Sequence, residues 1–208
     1  MKKIKSLIVI VFVTSTIFVG CGAPQINENQ SLLTTKYYSR DVEQNVDILV
    51  DDVKIGALQE SGIFNSTWQF SLEDGTFHEY MFSDYVDLGV DNSETASNYQ
   101  IKDKDGVITG YVQETLIPFD DGKHYEYLFY DKDMQMQDYY FDHDTRAFYD
   151  WDGNLLVECT HESTFEVSFF KGTIWKLYMV FDKDTCPVPY EHMLFAYIRE
   201  EYELSMIN

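Results

Sequence analysis

The sequence predicts a mainly β protein, an antiparallel meander that either closes as a β-barrel or folds as a two-sheet sandwich, with a short helix near its N-terminal side. Three observations carry this reading. Asp-Gly pairs stand at Asp74-Gly75, Asp105-Gly106, Asp121-Gly122 and Asp152-Gly153, and Asp-Gly between alternating runs marks a hairpin because glycine takes the positive φ such turns need. The runs between breaks alternate apolar and polar residues, as half-buried strands do. Sixteen tyrosines and fifteen phenylalanines favour strands over helices.

Residues 1–20 read as a secretory leader. Lys2, Lys3 and Lys5 precede an uncharged, mostly apolar run from Leu7 to Val19, and Gly20-Cys21 closes it. The run falls short of the roughly 20 apolar residues a permanent spanning helix needs. This segment resembles a bacterial lipoprotein signal, in which a small residue, here Gly20, precedes the lipid-bearing cysteine. Phe18 and Val19 stand where that family prefers Leu and a small residue. The resemblance implies that Cys21 carries a diacylglyceryl group and becomes the mature N-terminus. It implies a protein anchored to a cell membrane by lipid, facing away from the cytoplasm. Two acyl chains suffice for stable anchoring where one is marginal.

Residues 21–38 then read as the lipidated end and a flexible tether. Gly22–Thr35 is polar, carries Pro24 and keeps no period; such a coil reaches on the order of 20 Å. Residues 39–208 form one domain. Within it, 39–60 is ambiguous. Val42, Val46, Leu49 and Val53 recur at helical spacing behind a capping Ser39, yet Val46–Ile55 also reads as two short strands around Asp51-Asp52. Helix is the reading adopted for the first half.

From Asn65 onward breaks fall roughly every ten residues, and no segment has the length of a parallel-sheet crossover. Trp68, Phe70 and Leu72 share one face; so do Phe165, Val167 and Phe169, and so do Trp175, Leu177, Met179 and Phe181. Tyr125, Tyr127 and Phe129 oppose Leu128 and Tyr130, so this strand is apolar on both sides. Either both faces are covered or one lines a cavity. The close, Pro187–Asn208, reads equally as a short helix or a last strand.

Trp68-Gln-Phe, followed by Asp74-Gly75-Thr-Phe77 and a long meander, resembles bacterial lipocalin-like domains. In that family a Trp near the first barrel strand packs under a late Arg; the resemblance implies these parts for Trp68 and Arg199. Ser66 stands where the family has Gly.

With the three leader lysines set aside, 12 Lys and Arg face 36 Asp and Glu, a net charge near −24. That sign opposes nucleic-acid binding, which needs cationic surface, and attraction to anionic lipid. Five Asp-x-Asp pairs occur, at Asp103/Asp105, Asp131/Asp133, Asp142/Asp144, Asp150/Asp152 and Asp182/Asp184. Calcium loops need a glutamate at the twelfth position, but the corresponding places hold Val112 and Cys159, so the pairs read as turn residues. The histidines (His78, His124, His143, His161, His192) are scattered; His124 shares a strand face with Glu126, and His143 sits between two aspartates. No metal, cofactor or catalytic motif emerges. Cys159 and Cys186, an even pair outside the cytoplasm, could bridge if their elements are neighbours.

The aromatic surplus is the remaining functional clue. Rings supply the contact area that apolar or sugar ligands need, and Trp68, Tyr125, Tyr127 and Trp175 are the candidate ligand residues. The expected function is non-catalytic binding of a small apolar or carbohydrate ligand by a membrane-anchored lipoprotein. The alternative is an interaction or structural module whose acidic surface meets a basic protein or the cell wall.

Overall fold

The computed structural model describes residues 23–38, 44–61, 67–83, 95–119, 122–165 and 173–207. The leader and Cys21 lie outside them, as do Val167 and Phe169; His124, Tyr125, Glu126 and Phe165 fall in strands, but their side chains are outside the described set.

Twelve strands among the described residues form a closed antiparallel barrel in sequence order, with β1 (Gln30–Tyr38) pairing β12 (Thr173–Asp182) to close it. The others are β2 (Gln44–Val50), β3 (Val53–Ser61), β4 (Thr67–Leu72), β5 (Phe77–Phe82), β6 (Thr95–Lys102), β7 (Ile108–Phe119), β8 (Gly122–Asp131), β9 (Met136–Asp142), β10 (Ala147–Asp150) and β11 (Leu155–Phe165). One helix, α1 (Tyr190–Ile207), follows. Of the two expected architectures the barrel is the one formed. A lipocalin barrel has eight strands; this one has twelve.

Two expectations near the N-terminus are corrected. The helix adopted for the first half of 39–60 is absent where described, and the other reading, two strands around Asp51-Asp52, is the one formed: β2 and β3 form a hairpin, because Asp51 (φ 50°) and Asp52 (φ 64°) make a tight turn whose positive φ values Asp tolerates. The spacing of Val46, Leu49 and Val53 was a coincidence of two short alternating strands. The tether is also shorter than expected. Gln30–Tyr38 pairs with β12 along its whole length, so free linker ends before β1.

Three of the hairpin turns share one construction. At Asp103–Val107, Asp131–Gln135 and Asp150–Asn154, the first aspartate's Oδ1 accepts the amides two and four residues on. The fourth residue takes positive φ: Gly106 at 77°, Gly153 at 83°, and Met134 at 58°. These turns, with 51–52 and 73–76, form one end of the barrel, called here the turn end. The first aspartate of each pair at 103, 131 and 150 is thus bound to its own backbone, as is Asp182 through the amides of Asp184 and Thr185. No group of three metal-binding side chains occurs among the described residues.

Strand alternation sends Trp68, Phe70, Tyr80, Tyr99, Tyr127, Phe129, Phe141, Phe148, Leu177 and Met179 inward. Exposed Lys36, Asp47, Glu158 and Lys176 stand outside. This is the reverse of a lipid-spanning barrel, whose outer face is an apolar band. No helix among the described residues is long and apolar enough to cross a membrane.

The interior is filled by α1. Twelve strands about 4.8 Å apart and tilted about 40° enclose a backbone cylinder on the order of 24 Å wide. Inward side chains take up roughly half of that, leaving about the 10–12 Å of one helix. Met193 to Ile198 are all 0% exposed, as expected of a helix apolar on every side. Pro187 and Pro189 set its start, and the Met193 amide bonds the Pro189 carbonyl. Tyr190 packs on Phe181 at the turn end, and Glu200 meets His143 in the β9–β10 turn at the opposite end. The helix therefore threads the barrel lengthwise.

Cys159 and Cys186 do not form the bridge that the sequence left possible. Cys159 pairs with Met179, about 10 Å of strand from Asp182, whose carbonyl accepts the Cys186 amide. Disulfides need Cα atoms within about 7 Å.

Met134 holds a backbone conformation that costs a side-chain-bearing residue roughly 1 kcal/mol. Met134→Gly is therefore expected to stabilise the protein by about 0.5–1 kcal/mol in urea denaturation; an unchanged or lower midpoint contradicts that reading of the turn.

Candidate functional site

Two places gather chemistry-bearing side chains: the contact between α1 and the barrel wall, and the outer face of β8–β11.

At the first, each described histidine side chain bonds across the helix–wall contact. His78 on β5 lies 2.7 Å from Glu191, the phenol of Tyr139 on β9 lies 2.8 Å from His192, and His161 on β11 lies 3.1 Å from the Tyr197 hydroxyl. His143 pairs with Glu200. The helix is thus tied to the wall at both ends and twice between. Burial acts to raise the Glu191 carboxyl, but the His78 hydrogen bond and the adjacent His192 outweigh it, and the net shift is downward. Burial pushes His192 down to about 4, with Glu191 opposing and His78 reinforcing. His192 is therefore neutral, stacked on Phe129 at 4.4 Å and edge-on to Tyr80. Tyr80 is fully buried and its phenol is raised by that burial. A cleft of about 340 Å³ at the turn end, lined by Thr76, Lys183, Cys186, Tyr190 and Glu191 among others, opens beside the His78–Glu191 pair.

Three of the sequence-predicted ligand residues, Trp68, Tyr127 and Trp175, lie buried in this packed interior. Trp68 is edge-on to Phe195, 5.5 Å between centroids, and Tyr127 also meets Phe195. Trp175 stacks on Tyr37 at 5.7 Å, and the Tyr37 hydroxyl donates to the buried Glu60. The α1 side chains take the place a ligand would have. Tyr125 is in β8, with its side chain outside the described residues. The Trp–Arg contact that the lipocalin-like resemblance implied does form: the Arg199 guanidinium lies 5.7 Å from the Trp68 ring and 5.6 Å from Tyr99. It arrives from the internal helix.

Outside, β8–β10 present a row of rings that sequence reasoning did not single out. Tyr139 and Phe141 point inward, so Tyr140 points out; its cross-strand partners are Leu128 and Tyr149. Tyr111, Leu128 and Tyr130 form a small cluster on this outer face, with Tyr140 packed against it. Tyr140 lies 6.0 Å from Tyr149 at 31° and 5.0 Å from Trp151 at 32°. The Trp151 indole N–H donates to the Gln137 carbonyl at 2.9 Å, which pins the ring over β9 while leaving it 48% exposed. Met134, Met136 and Leu155 extend the exposed apolar surface. The signal was present in the sequence: apolar residues occupied both faces of these strands.

No protein-family model, curated protein or solved structure matches the chain. No family or fold points to catalysis.

His192 gives a pH prediction. Its folded value, about 4, lies below its ordinary 6.5. The unfolded chain therefore binds the proton first as pH falls. The stability is fully present above pH 6.5 and is lost as pH falls from there through about 4, on the order of 3 kcal/mol in all. Denaturation curves between pH 7.5 and 4 should show this loss, and His192→Gln should flatten it; a slope unchanged in that variant would contradict the assignment.

Proposed function

We propose that this chain is a membrane-anchored extracytoplasmic lipoprotein that binds carbohydrate without cleaving it. The Trp151–Tyr140–Tyr149 ladder on the outside of a rigid barrel is the binding surface. The observation that supports this most is the ladder itself. Trp151, half-exposed, backed by Tyr140 and fixed by a hydrogen bond, offers a π-face to the C–H-rich face of a pyranose ring. The filled interior supports it as well, because α1 occupies the space that a small apolar ligand would need. The lipobox-like signal ending in Cys21 supports the anchor.

A second reading, contact with a basic protein partner, draws on the turn end. Asp51, Asp52, Asp74, Asp105, Asp133 and Asp152 stand there together, all exposed.

Two experiments test the proposal. Detergent-solubilised full-length protein should co-sediment with at least one insoluble β-linked polysaccharide, and Trp151→Ala should weaken retention about tenfold. Absence of binding to all of a cellulose, chitin and cell-wall glycan panel, or an unaffected variant, would overturn the carbohydrate reading. Cys21→Ala should move the protein from the membrane fraction to the soluble one; unchanged fractionation would remove the lipid anchor.

A further inference from the structure

The surroundings of the ladder bear on which sugars it accepts, an inference that rests on the carbohydrate reading above. Alternation along β9 places Asp138 and Asp142 on the same outer face as Tyr140, one on each side. Each is two residues away, about 7 Å along the strand. On the neighbouring strands Ala147 pairs with both Asp142 and Glu158, so Glu158 joins the same outward row. Asp138 and Glu158 are exposed. Asp142 accepts the Thr145 amide and hydroxyl through Oδ1. The strands β9, β10 and β11 contain no lysine or arginine; the cation beside this row is Arg146, in the β9–β10 turn next to Ala147, and the Arg146 carbonyl accepts the Cys159 amide. The nearest turn lysine, Lys132, is paired with Asp133.

An aromatic platform bordered by carboxylates on strands that lack cations repels uronates and phosphate-bearing glycans. A neutral sugar's hydroxyls can donate to these carboxylates but add no ionic attraction. A sugar bearing a free amine gains twice: its ammonium group lies against ring faces and within reach of carboxylates. We propose that the ladder selects a polymer of amino sugars with free, protonated amines, stacking the pyranose faces on Tyr140, Tyr149 and Trp151 and placing amines toward Asp138, Asp142 and Glu158.

Binding of the full-length protein in detergent to a β-1,4-linked glucosamine oligomer and to the same oligomer fully N-acetylated tests this. The pH is held where the free amines are protonated. The glucosamine oligomer should bind about tenfold more tightly, and added salt should shrink the difference. Asp138→Asn and Glu158→Gln, both at exposed positions, should each narrow it severalfold while leaving the acetylated oligomer's affinity unchanged. Equal binding of the two oligomers, or tighter binding of the acetylated one, overturns the amine preference but leaves the carbohydrate reading standing. Loss of both by Trp151→Ala is expected. Insensitivity of both to that variant overturns the ladder as the site, and with it both readings.

Discussion

The volume of a twelve-stranded lumen is the constraint on which this structure depends. A barrel of eight strands is filled by its own side chains, and one of sixteen or more holds water. Twelve strands leave a column too wide for side chains and of a width that suits one helix. The chain supplies that helix itself, from the segment that follows the closing strand. Much else follows from this. The helix must be apolar on every side, so Met193 to Ile198 carry no polar face. Its polar groups at either end must find partners inside the barrel. Glu191 and Glu200 find imidazoles, and Arg199 lies over two rings with Glu114 at 3.9 Å. The distribution of histidines, scattered in sequence, becomes intelligible as one set of contacts between a plug and its sleeve.

The barrel was legible in the sequence because its turns are chemically explicit. Asp-x-Asp-Gly writes its own geometry, the aspartate binding amides and the glycine taking positive φ. Met134 shows the limit of that code, since the same turn forms without the glycine. The internal helix was not legible for a physical reason. A helix buried on all sides has no amphipathic period, so His192–Glu200 could not be told from a buried strand. The hairpin at 44–61 was one of two readings, and the helix was preferred for its first half because two short strands joined by a tight turn imitate helical spacing. Among candidate site residues, Trp68, Tyr127 and Trp175 were correctly found to be large inward rings. What they face depended on the helix and could not be read from their own strands. The outer ladder was half visible, as apolar residues on both faces of β8 and β9; that Trp151 folds back over Tyr140 depended on a turn and a single hydrogen bond.

Filling the interior moves the functional question to the outside. The surface is acidic almost throughout, and the rings of β8–β10 interrupt it beside the turn end. β1 also begins at that end, so a lipid at Cys21 would hold the ladder on the membrane-near half of the barrel. Rigid strands, a ring fixed by its indole N–H and bordering carboxylates together make a surface of defined chemistry on a body whose core is committed to structure.

The dependence of the barrel on its internal helix is tested most directly by native-state hydrogen exchange on the full-length protein. If α1 fills the lumen, the amides of Met193–Ile198 exchange only through global unfolding, with the same free energy as the central amides of β4 and β12. Exchange of those helix amides at a markedly lower free energy than the strands would show that the barrel stands without its plug, and would contradict this account.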